Sequence, residues 1–567
     1  MTRRMWLSIA ALALGASLFA AAGCGGNGDD NEEATPAATT EGGATQTTSA
    51  VKGGTLRANL ADDTDYTDPA LAYYTVSWNF LYPTCVKLLN YPDKAAPEGS
   101  KLVPEAASAM PTVAQDGKTY TFTVPAGKFK FSPPSNEELT AENFRAAFVR
   151  NLSPKMQSPA ASFMMDIVGA EEFNSGKGKD VPGITVSGDK LTIKLKDVAP
   201  DFLSRVAMPF FCGIPKNMPL NPKGEKTWAS AGPYSITKYI PSRTIELTRN
   251  PNYTGERAHN VDKIVYSVGV DPKQGLLQIQ KGQADWPADG VPPAAHADLA
   301  DEWGPDSENA KNGKQRYFVN PTLVFRYLAL NTQREIFKDT KLRQAVANAI
   351  DRPSLIRQRG AFAGKATDQY LPPGIPGFKD EDVYSTSGPD LDTAKQLAGT
   401  GANGQAVLYT CNESPCPETA QIVQQNLKQI GIDVEIKQFE RAVQFSKEGT
   451  KGEPFDIGFE GWQADYADPY DFINILLYGG NIGPKNNQNF SYFDDPAYNK
   501  RMVEAAKLSG DERFDTYGQL DVDLAKNAAP LAAWTNDNDR DFFGERVGCQ
   551  LYHPIYGMDL AQLCITQ

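Results

Sequence analysis

Residues 406–436 read AVLYTCNESPCPETAQIVQQNLKQIGIDVEI, and this stretch decides the fold class. Residues 406–409 form a short apolar run. In residues 418–430, Val423, Leu427 and Ile430 recur at helical spacing. Gly431 stands where a helix C-terminus favours glycine, because that position takes a left-handed backbone. Ile432, Val434 and Ile436 then alternate as a strand. Strand, helix and strand in about thirty residues make a βαβ unit, whose strands are parallel. A further strand is expected at 455–459. The C-terminal half therefore reads as an α/β layer.

Upstream the pattern differs. Tyr120, Phe122 and Val124 alternate after an Asp116-Gly117 turn. A second hairpin runs from Ile184 and Val186 through Ser187-Gly188-Asp189 to Leu191, Ile193 and Leu195. Between the hairpins, Thr140 opens a helix with Glu142 in its first turn, and Phe144, Phe148 and Leu152 share one face. This region is an α+β unit rich in antiparallel hairpins.

The whole chain has 567 residues, ample for more than one core. Its 56 Lys and Arg against 69 Asp and Glu give a formal net charge of −13. A nucleic-acid backbone needs a basic surface, so no nucleic-acid partner is expected. The beginning of the chain reads as an export signal. Arg3 and Arg4 precede an uncharged stretch, residues 5–22, that closes on small residues. Residues 1–23 are expected to be a lipoprotein signal peptide. Ala21-Ala22-Gly23-Cys24 looks like a bacterial lipobox, with Cys24 bearing the lipid and Ala21 where leucine is usual. The rest of 24–52 has almost no large apolar side chain and reads as a flexible tether. Its reach is roughly 30 Å.

Six cysteines remain besides Cys24. An even number in an exported chain argues for disulfides, and six cysteines allow fifteen pairings. Cys411 and Cys416 bracket a short loop, and Cys549 and Cys564 lie close together near the C-terminus. Cys85 and Cys212 then remain.

Catalytic and cofactor signatures are missing from the sequence. The three histidines, His259, His296 and His553, are far apart and none has a second ligand at metal spacing. Gly360-Ala361-Phe362-Ala363-Gly364-Lys365 is one residue short of a Walker A loop. Gly399, Gly401 and Gly404 have dinucleotide-loop spacing, but they follow a helix and precede a strand, the reverse of what nucleotide binding needs. In residues 537–541, Asp-Asn-Asp-Arg-Asp resembles the start of a calcium loop. Phe542 stands where such a loop requires glycine, so the stretch reads as a solvated acidic loop. No catalytic residue, metal or cofactor is expected.

A train of motifs carries a resemblance. Gly53-Gly54-Thr55-Leu56, Asp68-Pro69, Leu102-Val103-Pro104-Glu105-Ala106 and Leu139-Thr140-Ala141-Glu142-Asn143-Phe144 come first. Ala231-Gly232-Pro233-Tyr234, Arg249-Asn250-Pro251-Asn252-Tyr253 and Gly282-Gln283-Ala284-Asp285 follow. Leu328-Ala329-Leu330-Asn331-Thr332 and Gly461-Trp462-Gln463-Ala464-Asp465-Tyr466-Ala467-Asp468-Pro469 complete the order. Together they resemble the solute-binding proteins of bacterial ABC importers, in particular the extracellular family 5 type that contains dipeptide- and oligopeptide-binding proteins.

The resemblance implies a two-lobed type II periplasmic-binding-protein fold, α/β in class, with an additional α+β domain and a ligand cleft between the lobes. Lobe I would take 53–88, 205–325 and 531–567, the extra domain 89–204, and lobe II 326–530. Ligand would close the lobes by hinge motion. The implied partners are a short peptide or other small solute, a membrane permease, and the membrane through lipid on Cys24. The protein is expected to be an extracytoplasmic monomer. Alternatives are the same fold holding a sugar, opine or metal complex, a chemosensory binding protein, and last a secreted enzyme.

Ligands of open α/β sheets bind beyond the carboxyl ends of strands, and residues 462–468 follow the 455–459 strand. By resemblance, Asp465 holds a peptide's α-ammonium, a role that suits a carboxylate. Trp462 and Tyr466 would supply aromatic walls. Tyr74, with Tyr66 and Tyr73, flanks the early Asp-Pro turn and is a candidate for the other wall of the cleft, with plain packing as the commoner fate of each tyrosine. Arg326 is a candidate for a peptide carboxylate, with a structural ion pair as its commoner fate. Gly232 and Asn489 are candidates for hydrogen bonds at the cleft.

Overall fold

In the computed structural model, two large sheets form the frame, and the structure describes residues 50–399 and 404–566. The signal peptide, Cys24 and most of the tether expected at 24–52 lie outside the described residues, as do residues 400–403. The first sheet has five strands in the order Trp286–Pro287, Thr55–Leu60, Lys263–Val268, Thr244–Arg249, Tyr234–Ile240. Thr55–Leu60 runs parallel to both of its neighbours. Its Leu56, Ala58 and Leu60 alternate into the core and are fully buried, which is why the opening motif is a strand.

The second sheet has six strands in the order Gly364–Ala366, Leu531–Phe542, Tyr317–Leu330, Ile457–Gln463, Gly404–Cys411, Ile432–Phe439. The expected βαβ unit is here. Gly404–Cys411 pairs in parallel with Ile432–Phe439, and the helix Cys416–Lys428 crosses between them. Gly431 follows that helix with φ +84°, a conformation that only glycine adopts at no steric cost. The strand expected at 455–459 runs instead over Ile457–Gln463. It extends because seven of its residues pair with Tyr317–Leu330, so Trp462 stands on the strand itself rather than in the loop beyond it.

A four-stranded antiparallel sheet lies within residues 89–204, in the order Thr112–Val113, Thr119–Thr123, Lys190–Lys194, Ile184–Ser187. The helix Ala141–Leu152 packs on it with Phe144, Phe148 and Leu152 buried. Asn143 Oδ1 accepts from the Thr140 backbone N–H at 2.9 Å, closing the helix start. Arg150 of this helix donates two charged hydrogen bonds to Asp68, at 2.7 and 2.6 Å, tying the unit to the first lobe.

The long strands Tyr317–Leu330 and Leu531–Phe542 pair antiparallel from Tyr317 opposite Phe542 to Ala329 opposite Leu531. One end of this ribbon lies in the six-stranded sheet. At the other end, Tyr317 and Phe542 pack with Ile279, Ala284 and Leu299 of the first lobe. The C-terminal segment is therefore divided. Leu531–Phe542 belongs with the second sheet, contrary to the expectation that 531–567 joins lobe I as a whole. Beyond it, Arg546 returns to the first sheet and donates to Asp285 at 2.8 Å and to the Thr55 carbonyl at 2.7 Å.

The acidic stretch 537–541 is likewise part of this strand and not a solvated loop. Asp537 and Asp541 are buried. Asp537 is held by Arg326 and Arg359, and Asp541 accepts from the Trp286 indole at 2.9 Å. Three disulfides join Cys85 to Cys212, Cys411 to Cys416 and Cys549 to Cys564, with Cα separations of 5.2, 5.6 and 5.5 Å. These are the pairings that spacing and remainder pointed to. Among the described residues no helix is long and apolar enough to cross a membrane, and no group of His, Cys, Asp and Glu is placed to hold a metal.

Candidate functional site

The end of the Ile457–Gln463 strand and the two residues after it bring Gln463, Ala464 and Asp465 to the wall of a small cavity of about 20 Å³. Tyr73, Thr75 and Trp78 form the facing wall, from the start of the helix Thr75–Leu81 and the turn before it. Ile555 and Tyr556, from the C-terminal segment, close the side. That volume holds about one water molecule, so the two lobes meet here nearly flush.

Polar contacts cross the cavity. The Tyr73 hydroxyl donates to Asp465 Oδ2 at 2.7 Å. Gln463 Nε2 donates to the Ile555 carbonyl at 3.0 Å. Asp465 is buried, and burial pushes its carboxyl up to about 7, against the opposing effect of the Tyr73 hydrogen bond. The aromatic walls are fixed from behind. The Trp78 indole donates to the Ala72 carbonyl at 2.9 Å, and Tyr556 stacks on Tyr82 with ring centroids 4.2 Å apart. The arrangement offers a carboxyl group with three aromatic side chains, Tyr73, Trp78 and Tyr556, on the same cavity. In its ionised form that carboxyl group suits a cationic partner through charge-assisted hydrogen bonds.

The profile of bacterial extracellular solute-binding proteins, family 5 Middle, matches residues 101–484. The chain belongs to this family. It is 26% identical over 526 residues to the Dipeptide-binding protein DppE of Bacillus subtilis (strain 168), covering 89% of this chain and 91% of that one. It is 26% identical over 473 residues to the Oligopeptide-binding protein OppA of the same organism, covering 80% and 82%. Among solved structures, the Clavulanic acid biosynthesis oligopeptide binding protein 2 superposes with a TM-score of 0.80 at 21% identity, covering 91% of this chain and 96% of that one. The periplasmic binding protein DppA from Helicobacter pylori, in complex with the peptide STSA, gives 0.76 at 21% identity, covering 91% and 99%. At these identities the structural likeness shows the two-lobed α/β fold.

In this family 5 protein, most of the other expected contacts have structural partners. Trp462 is buried on its strand, and its indole donates to Asp471 at 3.3 Å. Tyr466 is fully buried and donates to Asp201 at 3.2 Å, which ties the loop after the strand to residues at the edge of the extra domain. Arg326 donates to Asp537 at 2.7 Å, the structural ion pair that was its other reading. Gly232 lies against residues 83–84, where a Cβ would meet the Thr84 carbonyl carbon at 2.5 Å, so this glycine serves close backbone packing and not the cavity. Asn489 is buried in a local knot, donating to the Phe493 carbonyl and accepting from Ser491. Tyr74 packs edge-on against Phe445 across the lobes, and burial raises its hydroxyl to about 12.

Of the residues singled out as ligand contacts or cleft walls, Asp465 and Tyr73 line the cavity. Asp468 is held by Arg513 through two hydrogen bonds of 2.7 Å and accepts from the Tyr470 backbone N–H at 2.9 Å. Trp78, Gln463, Tyr556 and Asp471 were not read as site residues from the sequence. Gln463 was within reach, since it sits two positions before Asp465 with the same strand parity. Tyr556 and Trp78 carry no local signal, because long-range packing alone brings them to the cavity.

Proposed function

We propose that this chain is an extracytoplasmic solute-binding lipoprotein of an ABC import system, which captures short peptides between its lobes and delivers them to a membrane permease. The observation that carries the reading is Asp465, a buried carboxylate on the wall between the lobes of a family 5 protein. A peptide offers an α-ammonium, and a hydrogen bond to a charged partner contributes about 1.5–3 kcal/mol. The dipeptide- and oligopeptide-binding relatives support the same solute class. The ribbon of Tyr317–Leu330 and Leu531–Phe542 joins the lobes and serves as the hinge. Lipid on Cys24, with residues 25–52 as tether, would keep a monomeric binding protein near its permease. Nothing in this role calls for a catalytic group, and the protein is read as a carrier and not an enzyme.

The test is mass spectrometry of residues 25–567, purified without added ligand, in native and denatured form. Release of short peptides establishes the solute class and its length together. Release of a single non-peptide compound keeps the binding-protein fold and discards the peptide reading.

A further inference from the structure

Asp471 stands in the first turn of the helix Tyr470–Leu477 and is fully buried. Its Oδ2 accepts two hydrogen bonds, from the Asp465 backbone N–H at 2.9 Å and from Trp462 Nε1 at 3.3 Å. Its Oδ1 is buried with no partner among the described residues. Ionised, the group would leave a charged oxygen buried without a donor; as a neutral acid it leaves only a hydroxyl there, the smaller cost.

The surroundings favour that form. Asp468, paired with Arg513, acts on Asp471, and Asp201, paired with Arg205, faces it across Tyr466. On the Asp465 side Lys87, with Glu105 and Arg257 around it, donates to the Tyr556 hydroxyl at 3.3 Å. Each arginine is committed to carboxylates of its own. The phenols of Tyr73, Tyr91, Tyr466 and Tyr556 complete the enclosure. Two carboxylates in one buried site cannot both ionise cheaply. Burial, then the neighbouring Asp465 charge, drives Asp471 well above the usual carboxylate range.

We propose that Asp471 is the positioning residue of this site: it stays a neutral carboxylic acid that holds Trp462 and the Asp465 backbone, and it leaves Asp465 as the one group that gives up a proton when an ammonium binds. The second half of this statement rests on the peptide reading above. The proton balance is simple. A protonated Asp465 releases its proton to solvent, and the resulting carboxylate accepts from the incoming ammonium. Below pH about 7, each peptide bound therefore releases up to one proton, and affinity falls about tenfold per pH unit.

The test has a ligand-free arm and a binding arm. In the first, infrared spectra of wild type and Asp471→Asn are compared at pH 8 without peptide. The difference contains a protonated carboxyl C=O band if Asp471 is neutral. A carboxylate band there overturns the proposal. In the second, calorimetry follows a free-amine peptide recovered from the protein, and its N-acetyl derivative, between pH 5.5 and 8.5. Asp471→Asn keeps the carbonyl acceptor and is expected to bind within about threefold of wild type with the same pH midpoint. Asp471→Leu, folded by circular dichroism, is expected to lose more than about tenfold. A midpoint lowered by about one unit or more in Asp471→Asn means that a negative charge was removed, and the proposal falls. Equal binding of free and acetylated peptide by wild type removes the ammonium reading, and the infrared result still decides the state of Asp471.

Discussion

The Tyr73 hydroxyl donates to Asp465 Oδ2 at 2.7 Å, and these two residues lie 392 positions apart on opposite walls of the cavity. The bond is one of few polar links across it, and its acceptor is the group proposed to receive the ligand. Tyr73→Phe removes the donor and leaves the ring. A hydrogen bond to an ionised acceptor is worth about 1.5–3 kcal/mol, so the closed-to-open ratio of the unliganded protein should fall at least about tenfold at pH 8. Single-molecule distance measurements between one label on each lobe check this. An unchanged distance distribution would mean that apolar contacts such as Tyr74 on Phe445 hold the lobes together without it.

Asp465→Asn keeps the size and shape of the side chain and removes its charge. Free-amine peptides should lose about 10- to 100-fold in affinity, the worth of a charge-assisted bond. N-acetylated peptides carry no ammonium and should lose only a few-fold. Titration calorimetry at pH 8 compares the two series, and equal losses would remove the ammonium role of Asp465.

Tyr73 and Asp465 differ in how far the sequence alone reveals them, and the same contrast runs through the fold. Local periodicity found the helix Ala141–Leu152 and the βαβ unit, because Phe144, Phe148 and Leu152, or Ile432 and Val434, are buried by their own element's repeat. The Asp465 motif could be found because it is contiguous. Tyr73 looked like plain packing, since nothing near it in sequence announces a carboxylate 392 positions away. Arg326 could not be assigned for a related reason. An arginine fork suits a ligand carboxylate and a structural one equally well, and only the fold places Asp537 beside it. The stretch 537–541 misled because charge density reads as solvent exposure. Here the pleat and the arginines Arg326 and Arg359 allow Asp537 to be buried.

The loop that carries Asp465 is anchored by Asp468 and Arg513, whose side chains are only 9% and 2% exposed. Arg513→Met leaves a buried carboxylate without its cation and should cost about 3–5 kcal/mol in urea denaturation. Asp468→Asn combined with Arg513→Met removes both charges and keeps an acceptor for the Tyr470 N–H. The double variant should recover most of the loss. A double variant no more stable than Arg513→Met alone would show that packing of the arginine stem, not the unpaired charge, sets the cost.

The three disulfides close loops of very different length, with sequence separations of 127, 15 and 5 residues. If a crosslink acts mainly by restricting the unfolded chain, its contribution grows with the logarithm of that separation. Replacing Cys85 and Cys212 by alanine should then cost about 5 kcal/mol, Cys549 and Cys564 about 3, and Cys411 and Cys416 about 2. The first pair has a further reason to matter. It links the two segments that flank the extra domain, so its loss frees both ends of a unit otherwise tied to the first lobe by contacts such as Arg150 on Asp68. Denaturant midpoints of the three double-alanine variants under non-reducing conditions give the order. A largest loss for Cys411 and Cys416 would show that the short loop between them, not chain entropy, dominates, because that loop also carries Glu413 to its partner Arg441.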